Sequence, residues 1–125
     1  MPLADPLVPP RRILVVEDEF LVATDISGML EDMGYQVVGP APTVAIAIDL
    51  IAREKLDAAL LDANLGGTSS APIAVELTRR QVPFVVVTGY GNLKLATPVL
   101  DAAPRIHKPF SQNNLAAALV KIVVS

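Results

Sequence analysis

Carboxylates are the most conspicuous reactive groups in this chain. Glu17 and Asp18 follow the apolar run "RILVV" (12–16), and Asp62 closes the run "LDAALLD" (56–62). Gathered in one place, three such groups would repel one another unless a divalent cation sat among them or some were protonated. Oxygen ligands, with no histidine or cysteine nearby in sequence, suit a hard ion, Mg²⁺ before Zn²⁺. Two more groups stand at the ends of apolar runs: Thr88 after "VPFVVV" (82–87) and Lys108 after "RIH" (105–107). A lysine is a compact positive charge for a phosphate oxygen, and a threonine hydroxyl can donate to another. With Mg²⁺ they would neutralise a phosphoryl group held on Asp62. Phosphoryl transfer asks a protein mainly for positioning and charge stabilisation, and a carboxylate can be its nucleophile.

The elements that must bring these residues together are legible in the hydrophobic pattern. "RILVV" (12–16) is nearly all apolar, as a strand buried on both faces should be. Residues 19–33 place Val22, Ile26, Met29, Leu30 and Met33 on one helical face, with Gly34 to stop it. "YQVVG" (35–39) reads as a short strand. Thr43 can cap a helix to about Lys55 with Val44, Ile48 and Ile51 on one face. "LDAALLD" (56–62) is the third strand. Ser69 or Ser70 can cap a helix to about Gln81 that turns Ile73, Ala74 and Leu77 inward. "VPFVVV" (82–87) is β-branched and aromatic. Residues 88–103 carry a weak signal, with Thr97-Pro98 suited to start a short helix. "RIH" (105–107) is a last strand, and Ser111 can cap a last helix bearing Leu115, Leu119 and Ile122. Five β-α units with short loops imply a parallel sheet covered by helices on both faces. Ligands of such sheets lie beyond the carboxyl ends of the strands, where all five reactive residues fall.

Composition bounds the function. The 125 residues fit one domain, 52% hydrophobic and 18% charged, which is not the make-up of a disordered chain. A net charge of −3 gives no electrostatic reason to expect nucleic acid or an anionic membrane as partner. The absence of cysteine excludes disulfides and thiolate metal sites. No apolar run approaches the roughly 18 residues of a membrane span. "MPLADPLVPP" has neither the basic region nor the apolar core of a signal peptide, so a cytoplasmic location is expected. Residues 1–11 hold four of the eleven prolines and read as a flexible leader to a domain spanning 12–125.

Taken in order on the (βα)5 pattern, the acid pair Glu17-Asp18, then Asp62, Thr88 and Lys108-Pro109-Phe110 resemble the response-regulator receiver domain of bacterial two-component signalling. The resemblance covers about residues 12–124. It implies an α/β, flavodoxin-like three-layer sandwich with a parallel five-stranded sheet in the order 2-1-3-4-5. It implies that Asp62 accepts a phosphoryl group from a sensor histidine kinase. Asp18, Asp62 and the backbone carbonyl of Asn64 would hold Mg²⁺, with Glu17 acting through a water, while Thr88 and Lys108 bind the phosphoryl oxygens. The bond before Pro109 would be cis. Phosphorylation would remodel the face formed by the fourth helix, fifth strand and fifth helix for a downstream protein or phosphotransfer partner.

"PFVVVTGYG" (83–91) is similar to the signature of a group of mostly single-domain receivers, informally the FAT GUY group. The chain ends at Ser125 with no room for an effector, so its expected output is protein contact or phosphate flow. One departure matters. Many receivers carry an aromatic residue three positions before the lysine, and here that position is Arg105. Tyr90, two residues after Thr88, is the candidate substitute. The remaining groups read more plainly. Glu19 suits a helix N-terminus, Gly66 and Gly67 suit a flexible turn, and His107, the sole histidine, suits a strand. Three other functions fit the residues less well. A haloacid-dehalogenase-like phosphatase would need Asp-x-Asp-x-Thr after the first strand; here Asp62 follows the third, and Asn64 supplies no general acid. A flavodoxin-like cofactor binder is not required by any residue. A phosphate-independent interaction module would have no use for the intact acid set.

Overall fold

The computed structural model describes residues 9–89 and 98–123. Residues 1–8 of the expected leader lie outside the described residues, as do residues 90–97, Tyr90 and Thr97 among them, of the 88–103 stretch of weak signal. Five strands make one sheet: β1 (Arg12–Val16), β2 (Gln36–Ala41), β3 (Ala58–Asp62), β4 (Phe84–Thr88) and β5 (Arg105–His107). They lie in the order β2-β1-β3-β4-β5, and every pairing is parallel. The helices are α1 (Phe20–Asp32), α2 (Val44–Arg53), α3 (Ala71–Arg79), the single turn α4 (Pro98–Asp101) and α5 (Gln112–Ile122). This is the α/β three-layer sandwich expected, with its strand order.

Alternation along buried strands divides the core into two layers. Ile13 and Val15 of β1, Ala58 and Leu60 of β3 and Val85 of β4 pack against Ile26 and Leu30 of α1 and Leu115 and Leu119 of α5. Their neighbours Leu14, Val16, Ala59, Leu61, Phe84 and Val86 pack on the other face against Ala47 and Ile51 of α2, Ile73 and Leu77 of α3 and Leu100 of α4. The chain passes from β1 to β2 on one side and then back across β1 to β3. The strand order therefore reverses between β1 and β3, which opens a crevice beyond their carboxyl ends.

Caps and glycines set the details. The Thr43 hydroxyl accepts from the Ile46 N–H at 3.2 Å. Ser111 and Asn114 cap α5 reciprocally, at 3.1 and 3.2 Å, satisfying donors that a helix start leaves free. Several boundaries differ from expectation. β2 continues two residues past Gly39, because the ladder to β1 bulges between Leu14 and Val16 and Gly39, at φ +95°, carries the chain through a cis bond to Pro40. β3 starts at Ala58 rather than Leu56. α2 stops at Arg53 and α3 at Arg79, short of Lys55 and Gln81. Ser70 stands at the N-cap of α3, yet its hydroxyl does not cap the helix; it is buried and donates to the Ala63 carbonyl at 3.1 Å. Gly66 and Gly67 are not a loose turn. Both have positive φ and form the tip of a two-residue hairpin pairing Asn64–Leu65 with Thr68–Ser69, as such tight turns require.

Candidate functional site

Among the described residues, Glu17, Asp18, Asp62, Thr88 and Lys108 sit at or just beyond the carboxyl ends of strands. Glu17 prolongs β1, its N–H donating to the Ala41 carbonyl at 3.0 Å. Its carboxylate folds inward, and Oε2 accepts from the Glu19 N–H at 3.1 Å. With the residue only 2% exposed, burial raises this acid to about 7, and Asp62 adds to the rise against the opposing pull of Lys108 and the Glu19 amide. Asp62, the last residue of β3, is also buried. Its Oδ1 accepts from the Asn64 N–H at 3.0 Å, and its Oδ2 from Lys108 Nζ at 3.0 Å.

Lys108 follows β5 and is joined to Pro109 by a cis bond. Its N–H donates to the Thr88 carbonyl at 2.8 Å, which aims the side chain across the strand ends. Nζ lies 2.9 Å from Glu17 Oε1 and 3.9 Å from Glu19 Oε1. Burial works against the ammonium, but the two carboxylates beside it outweigh that and hold its pKa above the ordinary lysine value. Glu17 Oε1 is buried, and among the described residues this ion pair with Lys108 is its polar contact.

Asp18 is exposed at the mouth. One oxygen from each of Glu17, Asp18 and Asp62 lies within 4.8 Å of the others. The hairpin leans over the same point: a Cβ on Gly66 would stand 3.3 Å from Asp18 Oδ2. Asn64 Oδ1 accepts from the Gly67 N–H at 2.8 Å, which braces the turn while the Asn64 backbone faces Asp62. Asp18, Asp62, Asn64, Gly66, Gly67 and Lys108 help line a cleft of about 310 Å³. Three carboxylates gathered around one ammonium are a donor set that fits a hard divalent cation.

Thr88 and Arg105 are placed less simply. Thr88 ends β4, fully buried, and pairs directly with His107 across the β4–β5 ladder. Its Oγ1 lies 2.9 Å from His107 Nδ1. This contact was not legible in the sequence, where His107 reads as a strand residue, because the register of β4 on β5 is set by packing. Arg105 lies two residues earlier on the same strand face and reaches α4 instead, donating to Asp101 Oδ1 at 2.8 Å and to the Asp101 carbonyl at 3.0 Å. Glu19 is the N-cap of α1 without a side-chain cap bond.

Residues 13–120 match the profile of the response regulator receiver domain. The chain is 33% identical over 113 residues to the transcriptional regulatory protein PdtaR of Mycobacterium tuberculosis, covering 88% of this chain and 55% of that one. It thus spans about half the length of that curated relative. Among solved structures, SdrG from Sphingomonas melonis Fr1 superposes with a TM-score of 0.82 at 36% identity, covering 94% of this chain and all (100%) of that one. The receiver domain of the sensor histidine kinase PA1611 from Pseudomonas aeruginosa PAO1, solved with a magnesium ion coordinated in its active-site cleft, superposes with a TM-score of 0.79 at 25% identity over 93% of this chain and 99% of that one.

Proposed function

The chain belongs to the response-regulator receiver family, and from that premise we propose that Asp62 is its phosphoacceptor. The observation that carries this reading is the placement of the Asp62 carboxylate. It is held by the Asn64 N–H on one oxygen and by Lys108 on the other, beside two further acids. One Asp62 oxygen bonds to the phosphorus of a phosphohistidine on a sensor kinase as the P–N bond breaks, and the imidazole leaves with a proton. Lys108 turns from its carboxylate partners to the incoming oxygens, and Thr88 donates to another. Mg²⁺, when bound, supplies positive charge to the phosphoryl oxygens. Asp18, Asp62 and the Asn64 carbonyl are its ligands in this reading, with Glu17 acting through a water. The ion seen in the PA1611 receiver supports the choice of metal.

The kinase, a cytoplasmic location and a single-domain role within the FAT GUY group belong to the same reading. So does an output through α4, β5 and α5 to a downstream protein or phosphotransfer partner. Among the described residues no helix is long and apolar enough to cross a membrane. The test is the intact mass of the protein after incubation with acetyl phosphate, with and without Mg²⁺, beside Asp62→Asn. A single phosphoryl adduct that needs both Mg²⁺ and Asp62 is expected. No adduct from acetyl phosphate or a cognate kinase would replace this reading with a phosphate-independent interaction module.

A further inference from the structure

The Thr88 hydroxyl has one proton to donate. In this structure it lies 2.9 Å from His107 Nδ1. Thr88 is fully buried, while His107 is exposed and lines a groove of about 460 Å³ with Arg105, Ile106, Phe110 and Asn114. The histidine thus has one ring nitrogen at the Thr88 hydroxyl and its other side toward the β5–α5 surface. It also shares a strand face with Arg105, which holds α4 through Asp101. At the position where many receivers carry an aromatic residue, this chain has Arg105, which reaches α4, and among the described residues the direct side-chain contact to Thr88 comes from His107.

We propose that His107 is the positioning residue for Thr88, and that the hydrogen bond between them couples Asp62 to the β5–α5 surface. The inference rests on the reading of Asp62 as phosphoacceptor. When Oγ1 donates to Nδ1, its proton is unavailable to a phosphoryl oxygen. When it donates to the phosphoryl group, it can only accept from a protonated Nδ1 or release the ring. In the proposed resting state Nε2 carries the ring proton and Nδ1 accepts from Thr88, so phosphorylation changes the tautomer or the position of His107; a ring already protonated at Nδ1 would not need to change. The change is delivered into the groove between β5 and α5, one residue from Lys108.

Because His107 is the only histidine, its ring nitrogens give isolated NMR signals in protein carrying ¹⁵N-labelled histidine. Spectra are recorded before and after acetyl phosphate with Mg²⁺, with the adduct counted by intact mass in the same sample. The Nδ1 resonance is expected to move in the wild type and to stay in Asp62→Asn. His107→Phe keeps the ring and removes the nitrogen, so the rate of adduct formation is expected to rise about two- to tenfold, the worth of one net hydrogen bond. His107→Asn, which can present an amide near the place of Nδ1, is expected to return the rate toward the wild-type value. An adduct that forms with the Nδ1 resonance unmoved would overturn the coupling, as would equal rates in all three proteins. Absence of any adduct overturns the phosphoacceptor reading itself, and this inference falls with it; the mass measurement distinguishes the two failures.

Discussion

At the scale of single residues, the site balances repulsion among acids against one lysine. Glu17 is the group under most tension: buried, beside Asp62, and raised to about 7 from an ordinary 4.5. A folded-state value above the unfolded one means that the native protein binds this proton more tightly. Its contribution to stability is then full below about pH 4.5 and is lost as the pH rises through 7. Urea unfolding in the presence of a chelator should show this. Between pH 5 and pH 8 the wild type should lose stability relative to Glu17→Gln, on the order of 2 kcal/mol. A constant difference between the two proteins would show that Glu17 titrates normally. Lys108 has the opposite position. Lys108→Met leaves Glu17 and Asp62 facing each other without a cation and should destabilise the chelated protein by about 1–3 kcal/mol at pH 8, read from the same unfolding curves.

At the scale of elements, two glycines hold backbone that the site depends on. Gly39, at φ +95°, lies where a Cβ would stand 2.8 Å from the Ala41 nitrogen and 3.1 Å from the Val15 carbonyl. Both atoms belong to backbone that cannot move aside, and the Ala41 carbonyl anchors Glu17. Gly39→Ala should therefore cost about 2–3 kcal/mol and disturb the acid pair as well. Gly66, at φ +58°, meets only the far end of the Asp18 side chain at 3.3 Å. Gly66→Ala should cost about 1 kcal/mol of stability but weaken Mg²⁺ binding more visibly than it weakens folding. Thermal melts with and without Mg²⁺ separate the two effects. A loss that is the same in both conditions would remove the hairpin from the metal site.

At the scale of the whole molecule, the strand order makes the site possible and stability the simplest reporter of it. The crevice between β1 and β3 exists because the chain leaves those strands in opposite directions, and the acids meet there from different β-α units. A cation bound only by the folded protein must stabilise it by mass action, by about 3 kcal/mol at a hundredfold excess over its dissociation constant. The melting temperature of the wild type should climb with Mg²⁺ concentration, and that of an Asp18→Asn, Asp62→Asn double variant should stay flat. A climb of equal size in the double variant would place the ion elsewhere.

The sequence by itself determined the five β-α units, the two-faced burial of the strands, and the location of Glu17, Asp18, Asp62, Thr88 and Lys108 at strand ends. These follow from local periodicity, and a period of two or of 3.6 survives in any context. Tertiary structure decided what each group touches. Lys108 comes between Glu17 and Asp62 only because β5, β3 and β1 lie in one sheet. Thr88 meets His107 only because β4 and β5 pair in one register among several that the pattern "VPFVVVT" allows. The extension of β2 past Gly39, the inward turn of the Ser70 hydroxyl and the hairpin over Asp18 are likewise products of close packing. Such contacts depend on fractions of an ångström between segments distant along the chain, and hydrophobic patterning carries no information at that distance.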